Sequence, residues 1–395
     1  MHTRYALVLA VAVSSLTACV EPNAPASPGG GDSGAPLMAA GPQAVPGQYI
    51  VVYKDAVAVG DVDEKVARAQ ARRPAGMRVQ QSFRHAIKGF AAQLTPETLA
   101  ELREDPDVAY VEPDQEMNIS ATQTGATWGI DRIDQRNRPL SGTYTYTATA
   151  STVYAYIIDT GIQTSHSQFG GRASNVYDAF GGNGQDCNGH GTHVAGTVGS
   201  STYGIAKAVR LRGLRVLNCS GSGSTSGIIA AIDWLRANYT APAVANMSLG
   251  GGYSAALNTA VTNLSNAGVF MAVAAGNENQ NACNVSPASA SGVATVAAST
   301  STDAKASYSN YGSCVELYAP GSSITSTWLS GGTRSISGTS MASPHVAGVA
   351  ALYKGANGNA SSSTILSWLI NNATANVISG NITGTPNRLL YKSSL

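Results

Sequence analysis

The stretch Gly338-Thr339-Ser340-Met341-Ala342-Ser343-Pro344-His345 sets a serine on a glycine-hinged turn, directly before an apolar pattern that reads as a helix. A serine hydroxyl is a weak nucleophile at its free pKa and needs a base, an orienting acid and a place for negative charge. The chain holds candidates for each. Asp159 ends the apolar run Val153–Ile158 and precedes Thr160-Gly161, so its carboxylate is expected to be partly buried. Asn188-Gly189-His190-Gly191-Thr192-His193 carries two histidines three apart. The zinc-protease motif needs a glutamate after the first histidine and the second histidine four positions on, and both are missing. Glycines flank His190 and leave it approachable, whereas His193, one turn later, reads as structural. Ala274-Ala275-Gly276-Asn277 ends another apolar run in an amide that can donate to an oxyanion, as can the Ser340 N–H at a helix start. His345 and Pro344 read as packing at that helix start.

Elements must carry these groups. Short apolar runs at Val153–Ile158, Arg212–Leu217, Val244–Leu249, Val269–Ala275 and Gly292–Ala297 alternate with helical patterns at His190–Ser200, Ser226–Asn238, Ser254–Ala267 and Ser340–Tyr353. Such alternation predicts an α/β fold with a parallel sheet covered on both faces, its site at the carboxyl ends of the strands. Upstream, Gln48–Lys54, Asp61–Arg73, Arg78–His85, Phe90–Leu94, Pro96–Glu104 and Val108–Glu112 read as β-α-β-β-α-β, a small ferredoxin-like α+β unit. A core of that size is marginal alone and is expected to need a partner.

Only 12% of the 395 residues are charged and 43 are glycine, which suits a well-buried globular chain with tight loops. The net charge of +1 conceals an asymmetry: 14 Lys and Arg against 9 Asp and Glu from Ala121 onward, but 9 against 14 over Val20–Ser120. Opposite charges favour docking of the two parts. Neither part has the basic clusters that nucleic-acid binding requires. His2-Thr3-Arg4 followed by the apolar run Tyr5–Val13 reads as an export signal over residues 1–19, too short to span a membrane. Leu16-Thr17-Ala18-Cys19 is similar to a lipoprotein cleavage box, in which Cys19 would carry a lipid anchor. Residues 20–47 are rich in Pro, Gly, Ala and Ser and read as a linker. Cys187, Cys219, Cys283 and Cys314 form an even set that suggests disulfides in an exported chain, with three pairings open.

The order Asp, His, Ser, each on its own glycine-rich motif, resembles the subtilase family of serine proteases, and within it the proteinase K branch with its aqualysin-like secreted bacterial members. The motifs are Asp159-Thr160-Gly161, Gly189-His190-Gly191-Thr192-His193 and Gly338-Thr339-Ser340-Met341-Ala342, with Trp128–Arg136 resembling the branch's mature N-terminal region. The resemblance implies a subtilisin-like catalytic domain over 121–395, preceded over 48–120 by an inhibitory propeptide whose matching residues include Ala109–Asp114. It implies that Ser340 attacks, His190 moves the proton, Asp159 orients the imidazole, and Asn277 with the Ser340 N–H holds the oxyanion. Ser248, Leu249, Gly250, Ala274, Ala275 and Gly276 match the primary-pocket walls, where small residues leave room for bulky apolar or aromatic side chains. Gly221, Ser222 and Gly223 match the edge that pairs with substrate backbone, a sequence-tolerant mode. The nearest-neighbour disulfides, Cys187–Cys219 and Cys283–Cys314, match aqualysin-like relatives. A structural calcium is implied at Glu316, which stands where relatives use aspartate, with the carbonyls of Ser291 and Val293. A second is implied at Asp131, Asp134 and Gln135, although Ser141 and Thr143 replace its other usual ligands.

The expectation is therefore a monomeric, extracellular endopeptidase of broad specificity, acting on proteins and peptides. It is made as a zymogen that cuts itself near Ser120–Ala121 and is restrained until then by its own propeptide. An α/β-hydrolase esterase would place its serine before the acid and histidine, in a G-x-S-x-G motif that Ala342 breaks. A binding protein would not need the full set of catalytic groups, and a narrow processing protease would need an acidic cluster in its primary pocket.

Overall fold

A computed structural model describes residues 34–40, 44–115 and 121–395. The export signal at 1–19, Cys19, most of the linker and Ser120 lie outside the described residues. The chain divides into two compact units, Met1–Asn118 and Ile119–Leu395.

In the first unit the strands are β1 (Ala44–Tyr53), β2 (Met77–Phe83), β3 (Gly89–Leu94) and β4 (Val108–Gln115), with helices α1 (Val62–Arg72) and α2 (Pro96–Arg103). The order β2-β3-β1-β4, antiparallel throughout, is the ferredoxin-like arrangement expected from the sequence. Helix α1 buries Val62, Val66 and Ala69, one helical stripe, against Val51, Phe90 and Val111 of the sheet. Helix α2 starts where Thr95 Oγ1 accepts the Thr98 N–H and Pro96 takes the first turn. One boundary differs from expectation. Strand β1 begins at Ala44 and Leu37 bridges Val111, so the described end of the stretch read as linker pairs with the sheet.

The second unit opens with β5 (Ala121–Thr124), α3 (Trp128–Asp134) and β6 (Thr143–Tyr146), then β7 (Tyr154–Asp159) and β8 (Ala173–Asp178). Helix α4 (His190–Gly199), β9 (Arg210–Arg215), α5 (Thr225–Asn238), β10 (Ala243–Met247), β11 (Gly251–Gly252), α6 (Ala255–Asn266) and β12 (Phe270–Ala274) follow. The chain continues through β13 (Val285–Ser286), β14 (Ala294–Ser299), β15 (Leu317–Pro320), the hairpin β16 (Ile324–Thr327) and β17 (Thr333–Ile336), α7 (Thr339–Asn357), α8 (Ser362–Asn372), β18 (Thr374–Ala375) and β19 (Arg388–Leu389). The main sheet runs β18-β19-β15-β14-β12-β10-β7-β9-β8 and is parallel except for the β18/β19 edge.

Strand alternation sorts the two faces. Ala155 and Ile157 of β7 face the core under α4 and α7, while Tyr156 and Ile158 face the core under α5 and α6. Strands β12, β10 and β7 are neighbours in register (Val244 beside Phe270 and Ala155), so their carboxyl ends meet at one rim. Strands β8 and β15 were not anticipated. The first is half-buried and polar, and the second is only four residues long, so neither shows a clear apolar run.

Candidate active site

Three chain segments reach the same rim. Asp159 is the last residue of β7 and fully buried. His190 is the first residue of α4, and its Nδ1 lies 2.8 Å from Asp159 Oδ1. Because a carboxylate accepts, this contact keeps the proton on Nδ1 and leaves Nε2 with a lone pair. Burial alone would lower the imidazole pKa, but the charge and hydrogen bond of Asp159, with the charge of Asp186, outweigh it and raise the pKa. About a quarter of the His190 side chain remains exposed. Glycine is required on both sides of it. Gly189 sits at φ +106° with the Trp328 ring where a Cβ would lie, and a Cβ on Gly191 would stand 2.2 Å from the Gly161 carbonyl oxygen.

Ser340 lies in the first turn of α7, where helix N–H groups lack partners within the helix. Pro344 has no N–H to bond the Ser340 carbonyl, and the Ser248 hydroxyl donates to that carbonyl instead, at 2.7 Å. Asn246 donates to Ser248 Oγ and accepts from Ser343 Oγ, so a buried polar chain ties the start of α7 to the end of β10. The Ser340 hydroxyl donates to the Ser248 carbonyl at 3.1 Å. No hydrogen bond from it to His190 is formed among the described residues.

Asn277 follows β12. Its Oδ1 accepts both the N–H and the hydroxyl of Thr339, at 2.8 and 3.0 Å, which fixes the amide and leaves its NH2 end for an incoming anion. A cavity of about 460 Å³ is lined by His190, Gly221, Ser222, Gly223, Ser248 and Leu249, with Gly250 beside them. An adjoining cavity of about 390 Å³ is lined by Gly250, Ala274, Gly276, Asn277, Thr339 and Ser340. Ala275 does not join this wall. It is fully buried with Ala297 and Val315, because residues on either side of it in the chain take the opposite face.

His193 and His345 are buried, as the sequence suggests. Burial brings each down to about 4, only partly offset for His193 by the Ile324 and Arg334 carbonyls and for His345 by the Met341 carbonyl. Both are therefore neutral packing groups at physiological pH.

The cysteines pair as Cys187–Cys219 and Cys283–Cys314. The first disulfide joins the loop before His190 to the loop before Gly221, and Asn188 Nδ2 donates across it to the Cys219 carbonyl.

The second calcium site expected from the sequence does not fit. Asp131 Oδ1 accepts the N–H and hydroxyl of Ser141, and Oδ2 accepts the Gly142 N–H. Asp134 takes the Thr145 N–H and the Lys392 ammonium, while Gln135 Oε1 takes the Ser141 N–H. These oxygens already have protein donors, and a lysine supplies the positive charge. Glu316 is different. It accepts the Thr295 N–H at 2.7 Å, yet burial still pushes its carboxyl up to about 7. A half-buried carboxylate that the Arg388 charge offsets only in part, opposite Thr295 and so two residues in the chain from Val293, suits a cation. The Ser291 carbonyl already accepts the Thr262 hydroxyl with one of its lone pairs. Among the described residues no three His, Cys, Asp or Glu side chains converge as a metal cluster.

The sequence reading missed Asp186. It lies four residues before His190, and its carboxylate takes five donors from Thr160, Asn188, Gly189 and Thr192. The available signal was an acidic residue just ahead of an Asn-Gly helix start in a segment with few acids.

The subtilase family model matches residues 151–388, and the peptidase inhibitor I9 model matches residues 48–120. The chain is 52% identical over 378 residues to an extracellular serine proteinase of Thermus sp. (strain Rt41A), covering 90% of this chain and 92% of that one. It is 48% identical over 362 residues to alkaline serine exoprotease A of Vibrio alginolyticus, covering 88% of this chain and 68% of the relative. The crystal structure of a cold adapted subtilisin-like serine proteinase matches with a TM-score of 0.67 and 51% identity, over 69% of this chain and 100% of that chain. With its glycine-framed histidine, its serine-bearing helix start and an inhibitor domain ahead of them, the chain belongs to the subtilase family of serine proteinases.

Proposed function

We propose that this serine proteinase is an exported, monomeric endopeptidase of broad specificity that matures by cutting its own chain. Ser340 is the nucleophile, His190 the general base and then acid, and Asp159 the group that orients and stabilises the imidazolium. Asn277 and the Ser340 N–H receive the oxyanion. The observation that carries this reading is the buried Asp159 bonded at 2.8 Å to a His190 that keeps about a quarter of its side chain exposed, at the rim where the helix bearing Ser340 begins. Substrate backbone lies along Gly221–Gly223. The primary side chain enters the cavity beside Ala274 and Gly276, whose small walls favour bulky apolar or aromatic residues. Residues 1–19 are the export signal, 20–47 the linker, 48–120 the inhibitory propeptide and 121–395 the mature enzyme, secreted to the cell exterior.

Sulfonyl fluoride treatment of the matured protein tests the mechanism. Irreversible, stoichiometric labelling of Ser340 with parallel loss of activity is expected, and activity that survives full exposure to the reagent overturns it. Cleavage-site profiling on a peptide library tests the specificity. A preference for basic residues at the primary position would remove the proposed pocket.

The inhibitor domain extends the reading to regulation. The acidic propeptide binds the basic catalytic unit until cleavage near Ser120–Ala121 frees it. Salt should weaken added propeptide as an inhibitor of the mature enzyme, and a salt-independent inhibition constant would exclude a charge-driven contact.

Calcium, held by Glu316 with the carbonyls of Ser291 and Val293, would neutralise the half-buried carboxylate and brace the ends of β14 and β15. Without calcium, the folded state binds a proton at Glu316 more tightly than the unfolded chain. Stability in chelator should then be greatest below the ordinary glutamate pKa and fall as pH rises towards about 7, by at most about 3 kcal/mol. Glu316→Gln should remove both that slope and the stabilisation by calcium. Thermal melts in chelator and in calcium check this, and a wild-type melt indifferent to calcium would exclude the site.

A further inference from the structure

We propose that Asp186 is a positioning residue for the reaction, the group that holds the His190 helix start and the Asp159 turn in one geometry. The inference rests on the roles given above to Asp159, His190 and Ser340. Helix α4 begins at His190 after Gly189, which has no side chain to cap it. Asp186 caps it from outside. Its Oδ1 accepts the N–H groups of Asn188 and Gly189, each at 2.9 Å, and the Thr160 hydroxyl at 2.9 Å. Its Oδ2 accepts the Thr192 N–H at 2.9 Å and the Thr192 hydroxyl at 2.6 Å. Thr160 Oγ1 in turn accepts the Gly191 N–H at 2.9 Å. The N–H groups on both sides of His190 are therefore tied to Asp186, directly or through one hydroxyl, and the same hydroxyl belongs to the residue after Asp159.

The Asp159 backbone is held by strand pairing with Arg215 and by the Val216 and Leu217 N–H groups on its carbonyl, but its carboxylate has few partners. Its Oδ1 accepts the Thr160 N–H and faces His190, while its buried Oδ2 has no partner among the described residues. Beyond those backbone bonds, the residue that donates to the Asp159 carboxylate is Thr160, whose side chain is anchored on Asp186. Asp186 itself is only 9% exposed, so its hydrogen bonds are not exchanged freely for water. A buried carboxylate at a helix N-terminus also lies at the positive end of the dipole.

Charge gives the residue a second effect on the base. The charged and titratable groups around His190 are Asp159, Asp186 and His193, with Arg334 beyond His193 against Trp328. His193 is neutral, so the two carboxylates are the groups that favour the imidazolium formed during proton transfer. Their joint charge acts in the direction that raises the His190 pKa.

The test uses protein expressed from the full chain and allowed to mature, and reads the rate of Ser340 labelling by phenylmethylsulfonyl fluoride across the acidic limb, alongside kcat and KM on a chromogenic peptide. Asp186→Asn replaces one acceptor oxygen by a donor and removes the charge. It should lower both the labelling rate and kcat by about 10–100-fold with little change in KM. Because the Asp186 charge acts to raise the His190 pKa, the variant should also move the acidic limb down, which loss of packing alone would not do. Thr160→Val should lower kcat while leaving the limb in place, and Thr160→Ser, which keeps the hydroxyl, should restore it. Should Asp186→Asn fail to mature, the Thr160 pair decides the matter: equal losses in Val and Ser variants overturn the relay. Wild-type labelling that is unchanged in rate and pH dependence by Asp186→Asn overturns this inference alone. Absence of labelling in the wild type would remove the proposed mechanism as well.

Discussion

Ser340→Ala should lower kcat about 10⁶-fold, the loss measured when the nucleophile of subtilisin itself is removed. The variant should also persist at precursor length, since cleavage near Ser120–Ala121 is assigned to the same hydroxyl. The change should cost little stability. Ser340 Oγ makes one hydrogen bond, to the Ser248 carbonyl, and the bonds that fix the start of α7 run instead through Ser248 Oγ, Ser343 and Asn246. A melting temperature near that of wild type, with turnover near background, is therefore expected. That turnover should still exceed the rate in water by about 10³–10⁴, the part expected from the proposed oxyanion donors and from binding. A purified variant that shortens to the mature size and digests casein would exclude Ser340 as the nucleophile.

Asp159→Ala should cost about 10⁴-fold in kcat, again the order found in subtilisin for the equivalent change. Two physical effects combine. The imidazole loses the acceptor that fixes its tautomer, and the imidazolium loses its nearest buried countercharge. The pH profile gives the more specific signature. In the proposed mechanism His190 must be neutral to act as a base, so activity should fall as pH drops through its pKa. In the wild type Asp159 raises that pKa against the opposing effect of burial. Without Asp159, burial is largely unopposed, and the acidic limb should shift down even as the plateau collapses. Measuring kcat/KM against pH checks both, and a limb that stays in place would show that another group titrates. Asp159→Asn should retain more geometry than the alanine variant, because Oδ2 has no donor to oppose an amide NH2 at that position.

The groups with intrinsic chemistry were legible before folding, and so were the strands that deliver them. Val153–Ile158 and Val269–Ala275 are apolar enough to be read as buried strands, and the polar residues at their ends then mark the rim. The ferredoxin-like unit was legible for a similar reason, since local periodicity alone separates Val62, Val66 and Ala69 from their polar neighbours. Strands β8 and β15 escaped because a short or half-polar strand is defined by its neighbours rather than by its own pattern. Ala275 illustrates the limit at single-residue scale: membership of a wall motif did not reveal which face of the strand its methyl occupies.

Residue type and order alone thus determined the reaction class, because nucleophile, base, acid and amide each need a particular functional group, and glycine had to flank them for access. The tertiary structure decided which oxygens are available. Asp131 and Asp134 look like metal ligands in the sequence, but folding places Ser141, Gly142, Thr145 and Lys392 on their carboxylates, whereas Glu316 is left half-buried, its charge offset only in part by Arg388. Asp186 was not singled out in the sequence; four of its five donors lie within six residues of it, and folding adds the Thr160 hydroxyl from 26 residues away. Hydrogen-bond satisfaction depends on partners far along the chain, and only the packed structure brings those partners together.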